Sequence, residues 1–263
     1  MTKLKIYQAD AFASSLFKGN PAAVVPLTEW LPDQIMQQIA LENNLSETAF
    51  FVPGGDHFHI RWFTPKAEVV LCGHATLATA HVIFNELGFQ GGQIDFNSQS
   101  GVLTVKKMGD KLQLDFPADF AQEVEPVETF ARAFEAKPLI TLKGRTDYLL
   151  LFDSEETILN LNPNIQLLLS TNARGVIVTA KGNKVDFVSR FFAPAVGVNE
   201  DPVTGSAHTT LIPFWGSRLN KTEMTALQLS ARGGQLWCAL SGNRVLIAGK
   251  AVTYLRGEID VQI

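Results

Sequence analysis

The sequence predicts an α+β protein built from two related halves. The main evidence is a pair of similar segments, residues 71–76 (LCGHAT) and residues 203–208 (VTGSAH). Each follows a strand that ends in Phe-x-Pro, and each opens an apolar run typical of a helix. Gly73 and Gly205 are separated by about half the chain, so a strand, a glycine turn and a helix start recur at a fixed offset, which indicates an internal repeat.

The first half alternates strands with helices. Short β-rich runs bounded by turn residues predict its strands, and apolar residues near helical spacing, preceded by Pro32 and Asp33, predict its first helix. Gly19-Asn20-Pro21 is typical of a turn. The predicted elements are strands at 3–8 and 22–26, a helix at 32–43, strands at 47–52 and 57–63, a helix from about 74 to 86, and hairpins over 93–116.

The second half repeats this plan after an acidic segment, residues 117–138, which carries three prolines and is predicted to be the domain crossover. Strands are predicted at 148–152, 175–179 and 184–192, a helix from about 206 to 219, and further strands from 225 onward. One helix among many short strands in each half favours an α+β architecture over a doubly wound parallel sheet. The predicted domains are 1–116 with about 251–263, and 117–250.

Composition limits the function classes. With 22 Lys and Arg against 26 Asp and Glu, and no basic cluster interleaved with aromatics, no nucleic-acid partner is expected. Asp10 interrupts the only apolar start a signal peptide could use, and no apolar run reaches the length of a membrane span. We therefore expect a cytoplasmic protein without a membrane partner, in which Cys72 and Cys238 are reduced.

The two glycine turns are candidate anion sites. A residue without a side chain lets backbone N–H groups approach a ligand, and a helix start favours negative charge. A tight strand-to-helix turn would explain either glycine alone. The recurrence, with His74 after one glycine and Ser206 after the other, favours sites for a carboxylate or an enolate-like oxygen.

Two carboxylates are candidates for proton chemistry. Glu47 begins an apolar run, where desolvation would raise its pKa toward the range useful for proton transfer, although a solvated glutamate at a strand end fits the pattern equally well. Asp201, just before Pro202, is more typical of a turn former.

Other polar residues are weaker candidates. His57 and His59 share one face of a strand, as a metal pair would, but no third ligand has matching spacing and a solvent-facing pair is favoured. His81 lies within an apolar helix and is interpreted as a core or interface residue. Cys72 borders a helix start, which could lower its pKa, but a buried inert thiol is the simpler interpretation for it and for Cys238. No metal site is predicted.

Six ordered blocks resemble the PhzF-like family of phenazine biosynthesis. They span residues 10 to about 208, and a later segment, SARGG at 230–234, also fits, so the resemblance covers nearly the whole chain. The blocks are DAF (10–12), FKGNPAAVV (17–25), SETAF (46–50), RWFTP (61–65), CGHAT (72–76) and EDPVTGSAH (200–208).

The resemblance implies the diaminopimelate epimerase-like fold, in which two pseudo-symmetric domains each wrap a bent antiparallel sheet around a central helix, with the active site in the cleft between them. In the phenazine enzyme a glutamate shuttles a proton between ring carbons of a dihydro-hydroxyanthranilate, assisted by a histidine, an aspartate and a serine. Motif matching assigns these catalytic roles to Glu47, His74, Asp201 and Ser206. A homodimer is also implied.

The predicted function is a cofactor-independent isomerase that moves a proton between carbons of a small carboxylate-bearing metabolite. The residues predicted to bind this substrate are Asn20, Gly73, Thr204 and Gly205.

Two alternatives remain open. A related epimerase uses two cysteines, one before each glycine turn, but this chain has Cys72 and Thr204 there, and a hydroxyl is a far weaker acid than a thiol. A non-catalytic ligand-binding protein of the same fold is the second alternative. Retention of all four catalytic candidates argues against it.

Overall fold

The protein forms two compact units in a computed structural model that describes residues 1–262. The first unit comprises Met1–Asp115 together with the segment from Ala248 onward, and the second comprises Phe116–Ile247. Ile263, the last residue of the predicted final strand, lies outside the described residues.

The α-helices of the first unit are α1 and α2, and α2 continues into a π-helical turn, Val82–Glu86. Its elements are β1 (Thr2–Ala11), β2 (Asn20–Pro26), α1 (Asp33–Asn43), β3 (Glu47–Pro53), β4 (Phe58–Phe63), β5 (Glu68–Val69), α2 (Gly73–His81), β6 (Gln93–Ser98), β7 (Gly101–Met108), β8 (Lys111–Pro117) and β17 (Ala251–Val261).

The second unit has shorter surface helices and one long helix, α6. A 3₁₀ turn, Pro194–Val196, precedes that helix. Its elements are β9 (Gln122–Glu123), α3 (Glu128–Phe134), β10 (Ile140–Lys143), β11 (Tyr148–Leu151), α4 (Glu155–Asn160), α5 (Ile165–Leu169), β12 (Val176–Lys181), β13 (Phe187–Phe192), α6 (Gly205–Leu219), β14 (Glu223–Gln228), β15 (Gly234–Ser241) and β16 (Arg244–Gly249).

The two units share one order of strand pairing. In the first, β2 and β3 pair in parallel, β3 and β4 antiparallel, and β4 and β6 in parallel. In the second, β11 and β12 pair in parallel, β12 and β13 antiparallel, and β13 and β14 in parallel. Parallel neighbours need a crossover, and helices supply each one: α1 and α2 in the first unit, α4 with α5 and then α6 in the second. The sheets are therefore mixed, with parallel pairs in addition to the antiparallel pairs that the resemblance implies.

The central helices carry mostly apolar or small residues, and most of these residues are buried. Every residue from His74 to His81 in α2 is buried, and the helix packs against β1, β2, β3 and β17. In the second unit, α6 packs against β14 and β15, and its start is the Gly205 turn. A helix that is apolar on most of its surface packs into a core, and α6 differs from α2 in exposing Ser206 and Arg218.

Three short helices were not predicted, and all three lie in the second unit. The expectation of a single helix is therefore wrong for the second half, since α3 lies inside the acidic segment interpreted as a crossover, and α4 and α5 lie between β11 and β12. Two of them have a side-chain cap at the start: Ser154 accepts a hydrogen bond from Thr157 N in α4, and Asn164 accepts one from Leu167 N in α5. Among the described residues, no helix combines the length and apolarity needed to cross a membrane.

Candidate functional site

Glu47 is placed by a sharp turn between α1 and β3. Asn44 adopts a left-handed conformation, with φ 48°, and its N–H closes the helix on Ala40 O. Three residues later Glu47 begins β3, paired in parallel with Ala22 of β2. The rest of the strand from Thr48 to Val52 is buried, while the Glu47 side chain keeps 17% of its surface exposed.

His74 and Cys72 meet Glu47 at the start of α2. The Oε2 atom of Glu47 lies 3.2 Å from Nε2 of His74, without the geometry of a complete hydrogen bond. On the other side of the ring, Nδ1 of His74 lies 3.6 Å from Sγ of Cys72. The first unit therefore aligns a thiol, an imidazole and a carboxylate, with the imidazole in the middle.

The imidazole of His74 is neutral at pH 7, because burial lowers its pKa to about 3. A neutral imidazole carries one N–H and one lone pair. If Cys72 donates its S–H to Nδ1, the remaining N–H of His74 is on Nε2 and faces Glu47.

The same three side chains offer oxygen, nitrogen and sulfur ligand atoms within 4.8 Å of one another. Their donor types would suit a zinc-like ion. However, His74 directs opposite ring nitrogens at Cys72 and at Glu47. One ion can take only one of these nitrogens, so the ring would have to turn before all three side chains could bind the same ion.

In the second unit the buried side-chain amide of Gln228 hydrogen-bonds to two of the predicted residues, Asp201 and Thr204. Thr204 donates its hydroxyl to Oδ2 of Asp201 over 2.5 Å. Gln228, which is fully buried, accepts from Thr204 N at 2.9 Å and donates to Asp201 O at 2.8 Å and to Thr204 Oγ1 at 3.0 Å. Sequence reasoning missed Gln228, because a lone glutamine at the end of a strand carries no local signal for this role.

The start of α6 presents the other predicted groups. Gly205 is buried in the first turn, and Ser206 is exposed beside it. His208, one turn further along, is fully buried and donates from Nδ1 to Thr204 O over 2.8 Å. Ser206 is therefore the predicted residue of this turn that is open to solvent.

An arginine–glutamate ion pair links two positions in the segment that precedes each glycine turn. Arg61 contacts both carboxylate oxygens of Glu68 at 2.7 Å. Arg190 contacts Glu200 at 2.7 and 3.0 Å. Each arginine opens an Arg-x-Phe-x-Pro segment, and each glutamate stands the same distance before its glycine, so this repeat was legible in the sequence. Bidentate pairs give geometric precision as well as energy.

Asn20 is fully buried at the start of β2, directly after Gly19, so the predicted turn ends at Gly19 and Asn20-Pro21 already belongs to the strand. Gly19 has φ +67°, and an added Cβ would lie 2.1 Å from Ala11 O, so only glycine fits.

The structure thus brings Glu47, Cys72 and His74 together in the first unit, and Asp201, Thr204, Gly205 and Ser206 together in the second. A separate recess of about 610 Å³ beside α3 and α4 is lined by none of these residues.

Comparison with solved structures identifies the fold. A hydroxyproline epimerase from Agrobacterium vitis superposes with a TM-score of 0.64 at 10% identity, over 98% of this chain and 91% of that one. At this identity the likeness concerns the fold alone. The chain therefore shares the fold of this epimerase, in agreement with the predicted α+β fold of the diaminopimelate epimerase-like type.

The family is defined by closer relatives. The family model described as phenazine biosynthesis-like protein matches residues 9–257. A protein named an uncharacterized isomerase of Pseudomonas aeruginosa is 52% identical over 98% of both chains. A crystal structure of an Enterococcus faecalis protein of the PhzF family superposes with a TM-score of 0.97 at 47% identity, over 99% of this chain and 100% of that one. The chain belongs to the PhzF-like family of phenazine biosynthesis-like proteins and is an isomerase of that family.

Proposed function

We propose that the protein is a cofactor-independent isomerase in which Glu47 removes a proton from one carbon of a small carboxylate-bearing metabolite and returns it to another carbon. The observation that carries the proposal is the contact between Glu47 and a neutral, buried His74 that is backed by Cys72. A carboxylate that is partly withdrawn from water and still 17% exposed can both meet a substrate and exchange a proton with it.

The proton balance needs no further reagent. Glu47 as carboxylate takes the C–H proton and becomes a carboxylic acid, while the substrate holds the electron pair as an enolate-like anion. Glu47 then gives the proton to a second carbon, which restores the carboxylate. The neutral His74 can donate its N–H to an oxygen of the activated substrate, as a neutral imidazole does in other proton-transfer enzymes.

The second-unit residues enter the proposal through the family resemblance. Asp201 would orient a polar substituent of the substrate, and Ser206 with the Gly205 turn would hold its carboxylate, since backbone N–H groups at a helix start favour an anion. Asn20, Gly73 and Thr204 are proposed to bind the same substrate.

A two-thiol epimerase is disfavoured by the chemistry of the candidate groups. The position opposite Cys72 in the repeat is Thr204, whose hydroxyl already donates to Asp201. The other cysteine, Cys238, is buried, and burial raises the pKa of its thiol well above the usual range. Neither residue can act as a second thiolate base at neutral pH.

The test is a metabolite screen in deuterated water, with mass spectrometry and NMR used to find deuterium at substrate carbons. Wild-type protein should incorporate deuterium into its substrate, and Glu47→Gln should slow turnover by at least about 100-fold, because a positioned acid or base contributes about 10²- to 10⁴-fold. Glu42→Gln, a change of the same type at an exposed position on α1, should retain full activity.

Two outcomes would contradict the proposal. Near-wild-type turnover by Glu47→Gln on a confirmed substrate would exclude Glu47 as the base. Tight binding of a metabolite without any exchange would support the non-catalytic alternative. Circular dichroism of both variants checks that each one is folded.

A further inference from the structure

The turn between β3 and β4 brings two histidines together. Gly54 N donates to His57 O at 2.8 Å and closes the turn, and His59 lies two residues further on in β4, opposite Val52. The predicted strand at 57–63 begins one residue later, at Phe58, so His57 is the last residue of the turn and not part of the strand. Here the two rings converge, so that Nε2 of His57 lies 3.2 Å from Nε2 of His59.

This separation matches the spacing of two ligands on one metal ion. Two imidazole nitrogens at about 2.0–2.1 Å from a tetrahedral ion are about 3.3 Å apart. The observed 3.2 Å therefore needs almost no movement of the backbone to receive such an ion. A proton shared between the nitrogens occupies the same place, and an ion would displace it.

Gly54 keeps the space beside both nitrogens open. A Cβ at this position would lie 2.8 Å from Nε2 of His57 and 2.8 Å from Nε2 of His59. Any side chain here would therefore crowd both ligand atoms at once. Glycine at this position therefore leaves both nitrogens uncrowded by a side chain.

Asp56 orients one of the two ligands. Its Oδ1 lies 2.9 Å from Nδ1 of His57, so the ring N–H points at the carboxylate and the lone pair is on Nε2, facing His59. A carboxylate behind a ligating histidine is the usual supporting contact of metal sites. Asp56 is 98% exposed and the His57 side chain 30% exposed, so an ion can enter from solvent.

We propose that His57 and His59 bind one divalent transition-metal ion of the zinc type at this turn, with Asp56 as the positioning carboxylate and water in the other coordination positions. Imidazole ligands suit Zn²⁺ and Cu²⁺ and select against Mg²⁺ and Ca²⁺, which prefer oxygen. The proposal concerns a site separate from Glu47, Cys72 and His74 and does not depend on the proposed isomerase activity.

The test is calorimetric titration of the untagged, full-length protein with ZnCl₂, followed by electron paramagnetic resonance of the Cu²⁺ form. Wild-type protein should bind one Zn²⁺ per chain, and the Cu²⁺ spectrum should show two nitrogen ligands. His57→Asn and His59→Asn should each weaken binding at least tenfold, and Asp56→Asn about tenfold or more. MgCl₂ should give no binding heat.

Two further variants separate this site from the other cluster. Gly54→Ala keeps every ligand and should still lose binding, because its Cβ crowds both nitrogens. Cys72→Ser should leave Zn²⁺ affinity unchanged. Absence of Zn²⁺ binding in wild-type protein, unchanged affinity in His59→Asn, or loss of binding in Cys72→Ser alone would overturn the proposal. Circular dichroism shows whether each variant is folded.

Discussion

Mild acid should destabilise the second unit through His208. This side chain is fully buried, and its Nδ1 donates to Thr204 O. Burial lowers its pKa to about 4, from 6.5 in an exposed histidine. The folded unit therefore keeps the ring neutral at a pH where the unfolded chain has already taken up a proton.

The sign and size follow from proton linkage. Above about pH 6.5 the ring is neutral in both states, so its titration does not affect stability. Below that pH the unfolded state gains a proton that the folded state does not accept until about pH 4, so the free energy of unfolding falls with pH. Between pH 7 and pH 5, the range over which only the unfolded state takes up the proton is about 1.5 pH units. At about 1.36 kcal/mol for each unit, the free energy of unfolding falls by about 2 kcal/mol.

The assay is urea denaturation, followed by tryptophan fluorescence, at pH 7 and at pH 5. His208→Asn removes the titrating group and keeps an N–H donor for Thr204 O. The free energy of unfolding of wild-type protein should fall between the two pH values by about 2 kcal/mol more than that of the variant. Comparing each protein with itself cancels the packing cost of the substitution and the titration of every other group. Equal losses in the two proteins would refute the reasoning.

Two further predictions concern residues that position others. Cys72→Ala should reduce turnover about tenfold or more, because His74 loses the partner of its Nδ1, while Cys72→Ser, which keeps a donor, should recover most of that loss in the deuterium assay. Equal activity of the two variants would mean that the thiol does not orient the ring. Gln228→Leu should lower the free energy of unfolding by at least about 2 kcal/mol, because Thr204 N, Thr204 Oγ1 and Asp201 O lose their buried partner. Gln122→Leu, the same change at an exposed position, should leave the free energy of unfolding nearly unchanged. Urea denaturation measures this loss. A loss below about 0.5 kcal/mol, which is the usual size for a surface substitution, would contradict this role.

Local sequence was enough to place most elements and both glycine turns. The helix starts at Gly73 and Gly205 follow from a strand ending, a small residue and an apolar run, all within a few positions. The helices α3 to α5 were missed because they are short, and their propensity signal is weak beside the prolines and acidic residues around them. The capping residues Ser154 and Asn164 were evidence for α4 and α5, whereas the N-cap residue of α3, Val127, provides no side-chain cap.

Contacts between distant residues could not be predicted from local pattern. The 3.2 Å approach of Glu47 to His74 depends on the parallel register of β2 and β3 and on how α2 packs against them. The three hydrogen bonds of Gln228 depend in the same way on β14 lying beside the Thr204 turn. The histidine pair at 57 and 59 shows the same limit, because the sequence predicts a shared strand face, whereas His57 lies in the turn before β4 and its Nε2 comes within 3.2 Å of His59 Nε2.

The sequence by itself determined the class of protein: two repeated halves, an α+β fold, and a set of ordered motifs that identify the PhzF-like family. Those features depend on short segments, in which residue type determines local conformation. The tertiary structure alone decided which of these residues touch: Glu47 with His74 and Cys72, Gln228 with Asp201 and Thr204, and His57 with His59. These contacts join residues through sheet register, helix packing and turn geometry, and in the low-dielectric core they set protonation states, as for His74 and His208, that no local pattern encodes.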